Sequence, residues 1–270
     1  MKLQDSFGRK IRQLGRSPKT AKAYWYRIDQ FIRWLYKKNG QWVHPKDVGK
    51  PEITDWLSHL ANDQHVSPRT QNVALQALLF LYKQVLGIQI EGVNAIRAKA
   101  PKITIKDILS REEIAQLFAA MGDSTTRFCA QMLYGCGLRR GDLLQLRIKD
   151  LHFDRNQISI KDTKHGHQHW TMFPRSLHDT VRRQIRSVEN VHKHDERLNP
   201  NGVSLPGAMC RKAPTFARRL EWYWLLPSDS LSRDPLDGHL KRFHRDAGNI
   251  NRNLGNAAQK AGIRKRVTCH

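Results

Sequence analysis

The stretch from Leu133 to Leu151 constrains the chain most: Leu-Tyr-Gly-Cys-Gly-Leu-Arg-Arg-Gly-Asp-Leu-Leu-Gln-Leu-Arg-Ile-Lys-Asp-Leu. An apolar run (Met132, Leu133, Tyr134) stops at Gly135 and Gly137, residues that permit the left-handed turn ending a helix. A second helix then turns Leu143, Leu144 and Leu146 inward. Arg139 sits between the two helices, with Asp142 three residues further on. That spacing puts both on one face, where the carboxylate can orient the guanidinium. An arginine held at such a turn is placed to grip a phosphate through two parallel hydrogen bonds. A plain helical hairpin with a solvated arginine fits the same local pattern.

Charge narrows the partner. The 270 residues carry 47 Lys and Arg against 24 Asp and Glu, a formal net charge of +23. Such an excess draws polyanions and releases counterions from a nucleic-acid backbone. It names a partner class and no chemistry, and a ribosomal or merely basic protein shares it. The hydrophobic fraction of 39% is enough for one large core or two ordinary ones. Cys129, Cys136, Cys210 and Cys269 are scattered without a Cys-x-x-Cys pair, which fits free thiols in a reducing compartment. The opening Met-Lys-Leu-Gln-Asp has no apolar signal core, and no apolar window reaches the roughly 18 residues of a membrane span. The expectation is a cytoplasmic protein with no membrane partner.

The first hundred residues are written as helices. Ser17-Pro18 and Ser67-Pro68 are capping serines followed by proline at the first helical position. The first predicted helix carries Tyr24, Ile28, Phe31, Ile32 and Leu35 on one face and ends at Asn39-Gly40. A second covers Pro51 to Leu60, with Ile53, Trp56, Leu57 and Leu60 inward, and a third runs through Val73, Leu78 and Tyr82 to Gly87. The expected unit, residues 1–95, is a small helical bundle with basic faces. Lys19, Thr20, Lys22, Arg69, Thr70 and Gln71 sit at helix starts, where backbone N–H groups also favour phosphate, and are expected as a group to contact DNA. Each taken alone fits a solvated face better. Ile90 to Thr104, with Gly92 and Pro101 and few large apolar residues, is the expected linker.

The second expected unit, residues 104–270, opens with Ser110 as cap and Glu113 completing a capping box. After Leu151 the period changes from helical to alternating. Phe153, Ile158 and Ile160, then Trp170, Met172 and Phe173, suggest short antiparallel strands with turns at 154–156 and 164–166. His165, His167 and His169 alternate, but no nearby cysteine or carboxylate set completes a metal site. They read as solvated or DNA-facing, and no metal is expected. Arg175 to Asn190 reads as a basic helix, and His239 to Gly262 as a helical region with a poor stretch over Asn249 to Gly255. The fold class is mostly α with a small antiparallel β-sheet.

Gly-Cys-Gly-Leu-Arg with Asp142 resembles the first arginine box of the tyrosine recombinases, the phage integrase family. The resemblance implies a SAM-like core-binding domain in the first unit and a catalytic domain in the second. Arg139 then matches the first catalytic arginine and Asp142 its acidic supporter. Counting back from Met172-Phe173-Pro174, Lys164 matches the catalytic lysine on the second turn of a three-stranded sheet, although Thr163-Lys164-His165 replaces the usual Gly-Lys-Gly. The segment Gly202 to Ser228 resembles the insertion of integron integrases, a short helix that contacts extrahelical bases of folded single-stranded recombination sites. By that resemblance Arg211, Lys212, Pro214, Arg218 and Arg219 are its candidate contacts. Basic and aromatic side chains suit splayed-out bases. Trp222, Tyr223 and Trp224 also fit a core. Val267-Thr268-Cys269-His270 resembles the start of the second box, with His270 its first catalytic residue.

The family's chemistry is attack of a tyrosine hydroxyl on a phosphodiester, leaving a 3′-phosphotyrosine and a free 5′-hydroxyl. Two arginines and a histidine neutralise the phosphoryl oxygens and the lysine protonates the leaving oxygen. No cofactor is implied. The partners implied are DNA, as double-stranded and folded single-stranded sites, and further copies in a tetramer. The second arginine and the nucleophilic tyrosine have no match in these residues. The expectation is a truncated member of the lineage, unable to cleave DNA alone. A catalytically silent DNA-binding protein and a decayed gene fragment are the alternatives.

Overall fold

A computed structural model describes residues 3–99, 108–122, 124–161, 168–198, 201–234, 237–246 and 248–269. The chain divides into two compact units, Met1–Ile105 and Lys106–His270.

The first unit is a helical bundle. Its helices are α1 (Leu3–Gln13), α2 (Pro18–Asn39), α3 (Lys50–Asn62) and α4 (Pro68–Phe80), which runs on into a π-helical turn, Leu81–Leu86. Ser17 and Ser67 cap α2 and α4, each accepting from the backbone N–H three residues on, and Gly40 closes α2 in the left-handed conformation. One core gathers Phe7 and Ile11, Ile28, Phe31 and Leu35, Ile53 to Leu60, and Leu78 to Tyr82. Helix α1 is absent from the expectation. Its apolar signal is short, Leu3, Phe7 and Ile11 in an otherwise polar run. Trp25 and Trp34 pack against this core, whereas Tyr26 and Trp42 are exposed.

The segment after α4 is fastened back onto the bundle. Gln71 donates to Leu57 O (2.9 Å) and Ile96 O (2.6 Å) and accepts from Ala98 N (3.0 Å). The Ser58 hydroxyl accepts from Ile96 N. Residues 96–98 of the expected linker therefore pack on the first unit.

The second unit opens with α5 (Arg111–Ala120), whose Ser110–Glu113 capping box forms as expected. Next come α6 (Thr125–Cys136), α7 (Arg140–Leu144) and a 3-10 turn, Ile148–Asp150. Strands β1 (Leu151–His152), β2 (Gln157–Lys161) and β3 (Gln168–Met172) form an antiparallel sheet in chain order, with Ile158 opposite Thr171 and Ile160 opposite His169. The first turn lies at 154–156, with Asn156 at positive φ. The second falls outside the described residues. Helix α8 begins at His178 and runs to Leu198, three residues later than expected, because Arg175–Leu177 form a 3-10 turn.

Beyond α8 come α9 (Gly207–Lys212), two 3-10 turns (Pro214–Arg218 and Leu220–Trp222), strands β4 (Pro227–Arg233) and β5 (Leu240–His244), and α10 (Gly248–Lys260). The expected helical region at 239–262 is corrected here. Residues 240–244 are a strand antiparallel to β4. Asn249–Gly255 lies within α10 rather than interrupting a helix. Ile250, Leu254, Ala257 and Ala258 give that helix a buried face, and burial overrides the weak propensity of its Asn and Gly residues.

The main core of this unit joins α5 to α7, β2, Phe173, Val181 and α10. A second cluster unites Val188 of α8 with Val203, Leu205, Ala217, Trp222, Tyr223 and Trp224. Gly202 permits this close packing: its φ is +65°, and an added Cβ would lie 2.1 Å from Ala217 O. All four cysteines are free thiols. Among the described residues no helix is long and apolar enough to cross a membrane.

Candidate active site and nucleic-acid interface

Helix α6 ends at Gly137, which takes φ +62°. Gly135, by contrast, stays helical. A Cβ there would meet Leu177 Cδ1 at 2.8 Å, so close approach of the 3-10 turn accounts for that glycine. Leu138 plugs the core, and the chain turns at once into α7. Arg139 is the N-cap residue of α7, in extended backbone conformation, and its carbonyl accepts from Asp142 N and Leu143 N at 3.0 Å each. Leu143, Leu144 and Leu146 are buried, as their spacing implies. This anchoring leaves the Arg139 side chain 75% exposed, with Nη1 3.8 Å from Asp142 Oδ2. At that distance the carboxylate biases the guanidinium electrostatically and leaves its N–H donors available.

Lys164, His165, His167 and His270 lie outside the described residues. The segments that flank them converge on the same core as Arg139. Thr171 Oγ1 on β3 donates to Cys136 O at the end of α6 (2.7 Å). Ile158 and Ile160 on β2 share a cluster with Leu138 and Leu143. At the far end of the unit, Val267 and Cys269 pack on that cluster, and Cys269 N donates to Asn251 Oδ1. Burial raises the Cys269 thiol above its ordinary range, while the charge of nearby Arg140 opposes the rise. His169 is exposed on β3.

In the first unit Lys19, Lys22 and Arg69 are exposed in the first turns of α2 and α4, and Thr70 is half-buried, its hydroxyl 2.9 Å from the capping Ser67 hydroxyl. Gln71 is corrected as a DNA contact. It is 3% exposed and all three of its bonds go to backbone inside the unit. Its place one turn into α4 puts it on the core side, opposite Arg69. In the segment 202–228 Arg211, Lys212, Pro214, Arg218 and Arg219 are all exposed. Trp222, Tyr223 and Trp224 are buried, the core reading of the two.

Arg147 has no counterpart in the sequence reading. It is 5% exposed, with its guanidinium 3.6 Å from the Trp224 ring centroid. It donates to Trp222 O and to Ser204 O (2.7 Å), pinning the segment 202–228 to the turn after α7. Burial pushes its pKa down to about 10, with Asp150 opposing. Its only sequence signal is a position between Leu146 and Ile148. Asp195 and Arg242 form a second buried pair, with Arg242 Nε 2.9 Å from Asp195 Oδ2. Asp195 falls seven residues after Val188, which is seven after Val181, so heptad spacing marks it as inward.

Residues 3–91 match the phage integrase N-terminal SAM-like domain, and residues 107–270 match the phage integrase family. The chain belongs to the phage integrase family of tyrosine recombinases. It is 32% identical over 270 residues to an integrase/recombinase of Escherichia coli, covering all of this chain and 78% of that protein. An integrase/recombinase of Pseudomonas aeruginosa gives the same figures. Tyrosine recombinase XerA of Thermococcus kodakarensis is 27% identical over 204 residues, 70% of this chain and 66% of that protein. Two solved structures share the fold. The Tn1549 transposon integrase in complex with transposon right-end DNA superposes with a TM-score of 0.60 at 15% identity, over 100% of this chain and 83% of that one. A lambda integrase dimer bound to a core site gives 0.54 at 17% identity, over 99% and 81%.

Proposed function

We propose that this chain acts in site-specific DNA recombination as an integron-integrase-type tyrosine recombinase, gripping recombination sites between a core-binding unit (residues 1–95) and a catalytic unit (residues 104–270). Arg139 contacts the scissile phosphate, oriented by Asp142. Lys164 serves as the acid for the leaving oxygen and His270 opens the second box. Lys19, Lys22, Arg69 and Thr70 contact phosphates. Arg211, Lys212, Pro214, Arg218 and Arg219 contact extrahelical bases of folded single strands. Assembly with further copies, and action without metal or cofactor, follow the family. The observation that carries this reading is Arg139 itself: fixed by its backbone at a helix start, biased by Asp142, and open to solvent.

The 270 residues on their own bind sites without cutting them. Their six tyrosines all have other surroundings. Tyr24, Tyr26 and Tyr36 belong to α2 in the first unit, not to the unit that carries Arg139. The Tyr82 hydroxyl is buried and donates to Pro45 O (2.7 Å). Burial, and then Asp195, hold the Tyr223 hydroxyl well above the ordinary phenol range. Tyr134 packs edge-on to Phe118 beside an apolar hollow of about 300 Å³ that no cation lines. A phenol needs a cationic, phosphate-facing setting to act as nucleophile. The test is incubation of the purified 270-residue chain with a nicked suicide substrate carrying a recombination site. Retarded, non-covalent complexes are expected. A covalent protein–DNA adduct would overturn the no-cleavage reading, and absence of any complex would overturn the DNA-binding one.

A further inference from the structure

We propose that the outward face of α8 is an additional surface for the phosphate backbone of duplex DNA, built from Arg183, Arg186, Lys193 and Arg197. This rests on the DNA-binding reading above and adds a site to it.

The inward face of α8 is set by Val181, Val188 and Asp195, all buried. Arg183, Arg186, Asn190, Lys193 and Arg197 are all exposed. Their spacing of three, four, three and four residues keeps them within about 80° of one another around the helix, on the side opposite the buried row. At about 1.5 Å per residue the row is about 21 Å long. The helix does hold carboxylates, but they are used elsewhere or lie off the row or at its edge. Asp179 pairs with Arg182 (2.9 Å), Asp195 with Arg242, and Glu196 approaches His192 (4.0 Å); Glu189 is half-buried at the edge of the row, three residues after Arg186 and four before Lys193, with no ion pair to either among the described residues. Among the described residues no ion pair joins any of the four cations to a carboxylate. Arg183 donates only to the Thr180 hydroxyl (3.2 Å).

Folding gains little from this arrangement. Arg183 and Arg186, and Lys193 and Arg197, are like-charge neighbours at i,i+3 and i,i+4, spacings at which like charges destabilise a helix. The helix dipole favours Arg197 in the last turn and offers nothing to Arg183 and Arg186, which lie beyond the first turn. The row has no apolar side chain, so a protein partner would find nothing to bury on it. A nucleic-acid backbone needs nothing apolar. One strand presents a phosphate about every 3.4 Å along the axis, so the row spans about six of them, and binding gains from released counterions. The backbone that carries the row is fixed. Gln184 donates to Leu225 O (2.9 Å), and His192 Nε2 lies 2.7 Å from Arg218 O in the segment 202–228.

The test compares the 270-residue chain with R183Q/R186Q, K193Q/R197Q and the combined quadruple variant. Binding to a long duplex is followed by fluorescence anisotropy over about 50–200 mM salt. The slope of log affinity against log salt should become shallower by about 1.8 in each double variant and about 3.6 in the quadruple variant, at about 0.9 per phosphate contact. An arginine-directed reagent such as phenylglyoxal should modify Arg183 and Arg186 in the free chain and spare them in the complex. Unchanged slopes in variants of a parent that binds duplex would overturn the α8 surface alone. A uniform loss of affinity at unchanged slope would also overturn it, since that is the mark of damaged folding. A parent with no affinity for duplex would defeat this surface together with the reading it rests on, a result the variants alone cannot produce.

Discussion

The Asp195–Arg242 pair gives the sharpest test of how the second unit is held together. Both residues are buried, at 0% and 5% exposure. Asp195 accepts from Arg242 Nε (2.9 Å) and Nη2, and more weakly from the Tyr223 hydroxyl (3.4 Å). The hydrogen bonds from Arg242 to Asp195 raise that guanidinium further above its ordinary pKa. Replacing Asp195 with Ala leaves Arg242 in the interior with only Ser228 O (3.0 Å) as a side-chain partner. Orphaning one member of such a pair costs about 3–5 kcal/mol, because the remaining charge is desolvated without compensation. For a unit of this size each kcal/mol lowers the melting temperature by about 2–4 °C, so D195A should lose about 6–20 °C. Removing both charges at once, as D195L/R242M, removes the unpaired charge and should recover most of the loss. Calorimetry on the 270-residue chain gives the melting temperatures. Hydrogen exchange of peptides covering 188–198 and 240–245 shows whether the loss is local to α8 and β5. D195A melting within about 2 °C of the parent, or a double variant no better than the single, would refute the account.

Three further outcomes follow from particular contacts. Gln71→Ala strands Leu57 O, Ile96 O and Ala98 N together, and should destabilise the first unit by about 1–3 kcal/mol in urea titrations while leaving the salt slope of DNA binding unchanged. Gly202→Ala places a side chain at φ +65° and 2.1 Å from Ala217 O, so it should cost about 2 kcal/mol or more and expose the 203–218 segment to limited proteolysis. Burial raises the Cys129 and Cys136 thiols from 9.0 to about 12, so the native state holds those protons more tightly. The stability they contribute is fully present below pH 9 and is lost as pH rises towards 12, partly offset by Arg147, whose pKa is lowered from 12.5 to about 10. Urea midpoints measured from pH 8 to pH 11 should fall, and fall less in C129A/C136A.

What the sequence disclosed and what it hid divide along a physical line. Local signals reported themselves: the Ser17 and Ser67 caps, the Ser110–Glu113 box, Gly137 at the end of α6, and the alternation that makes β2 and β3. Each is decided by residues within one turn or one strand pair. Arg139 belongs with them, because its presentation depends only on the turn it caps. Partners distant in the chain stayed hidden. Gln71 looked like a polar residue at a helix start, and its inward role needs Ile96 and Ala98, more than twenty residues on. Strand β5 reads as a polar helix until Arg242 finds Asp195, 47 residues earlier. Arg147 carried no signal of its own in a basic chain, yet its guanidinium is buried on Trp224 and its bonds go to carbonyls 57 and 75 residues away. Burying a charge is costly unless it is hydrogen-bonded, and local pattern cannot show that it is. In a chain with 47 Lys and Arg residues, the buried guanidinium groups of Arg147 and Arg242 find their partners far along the sequence. The four on α8 are the converse case: a row regular in sequence, exposed in the structure, and joined to no carboxylate among the described residues.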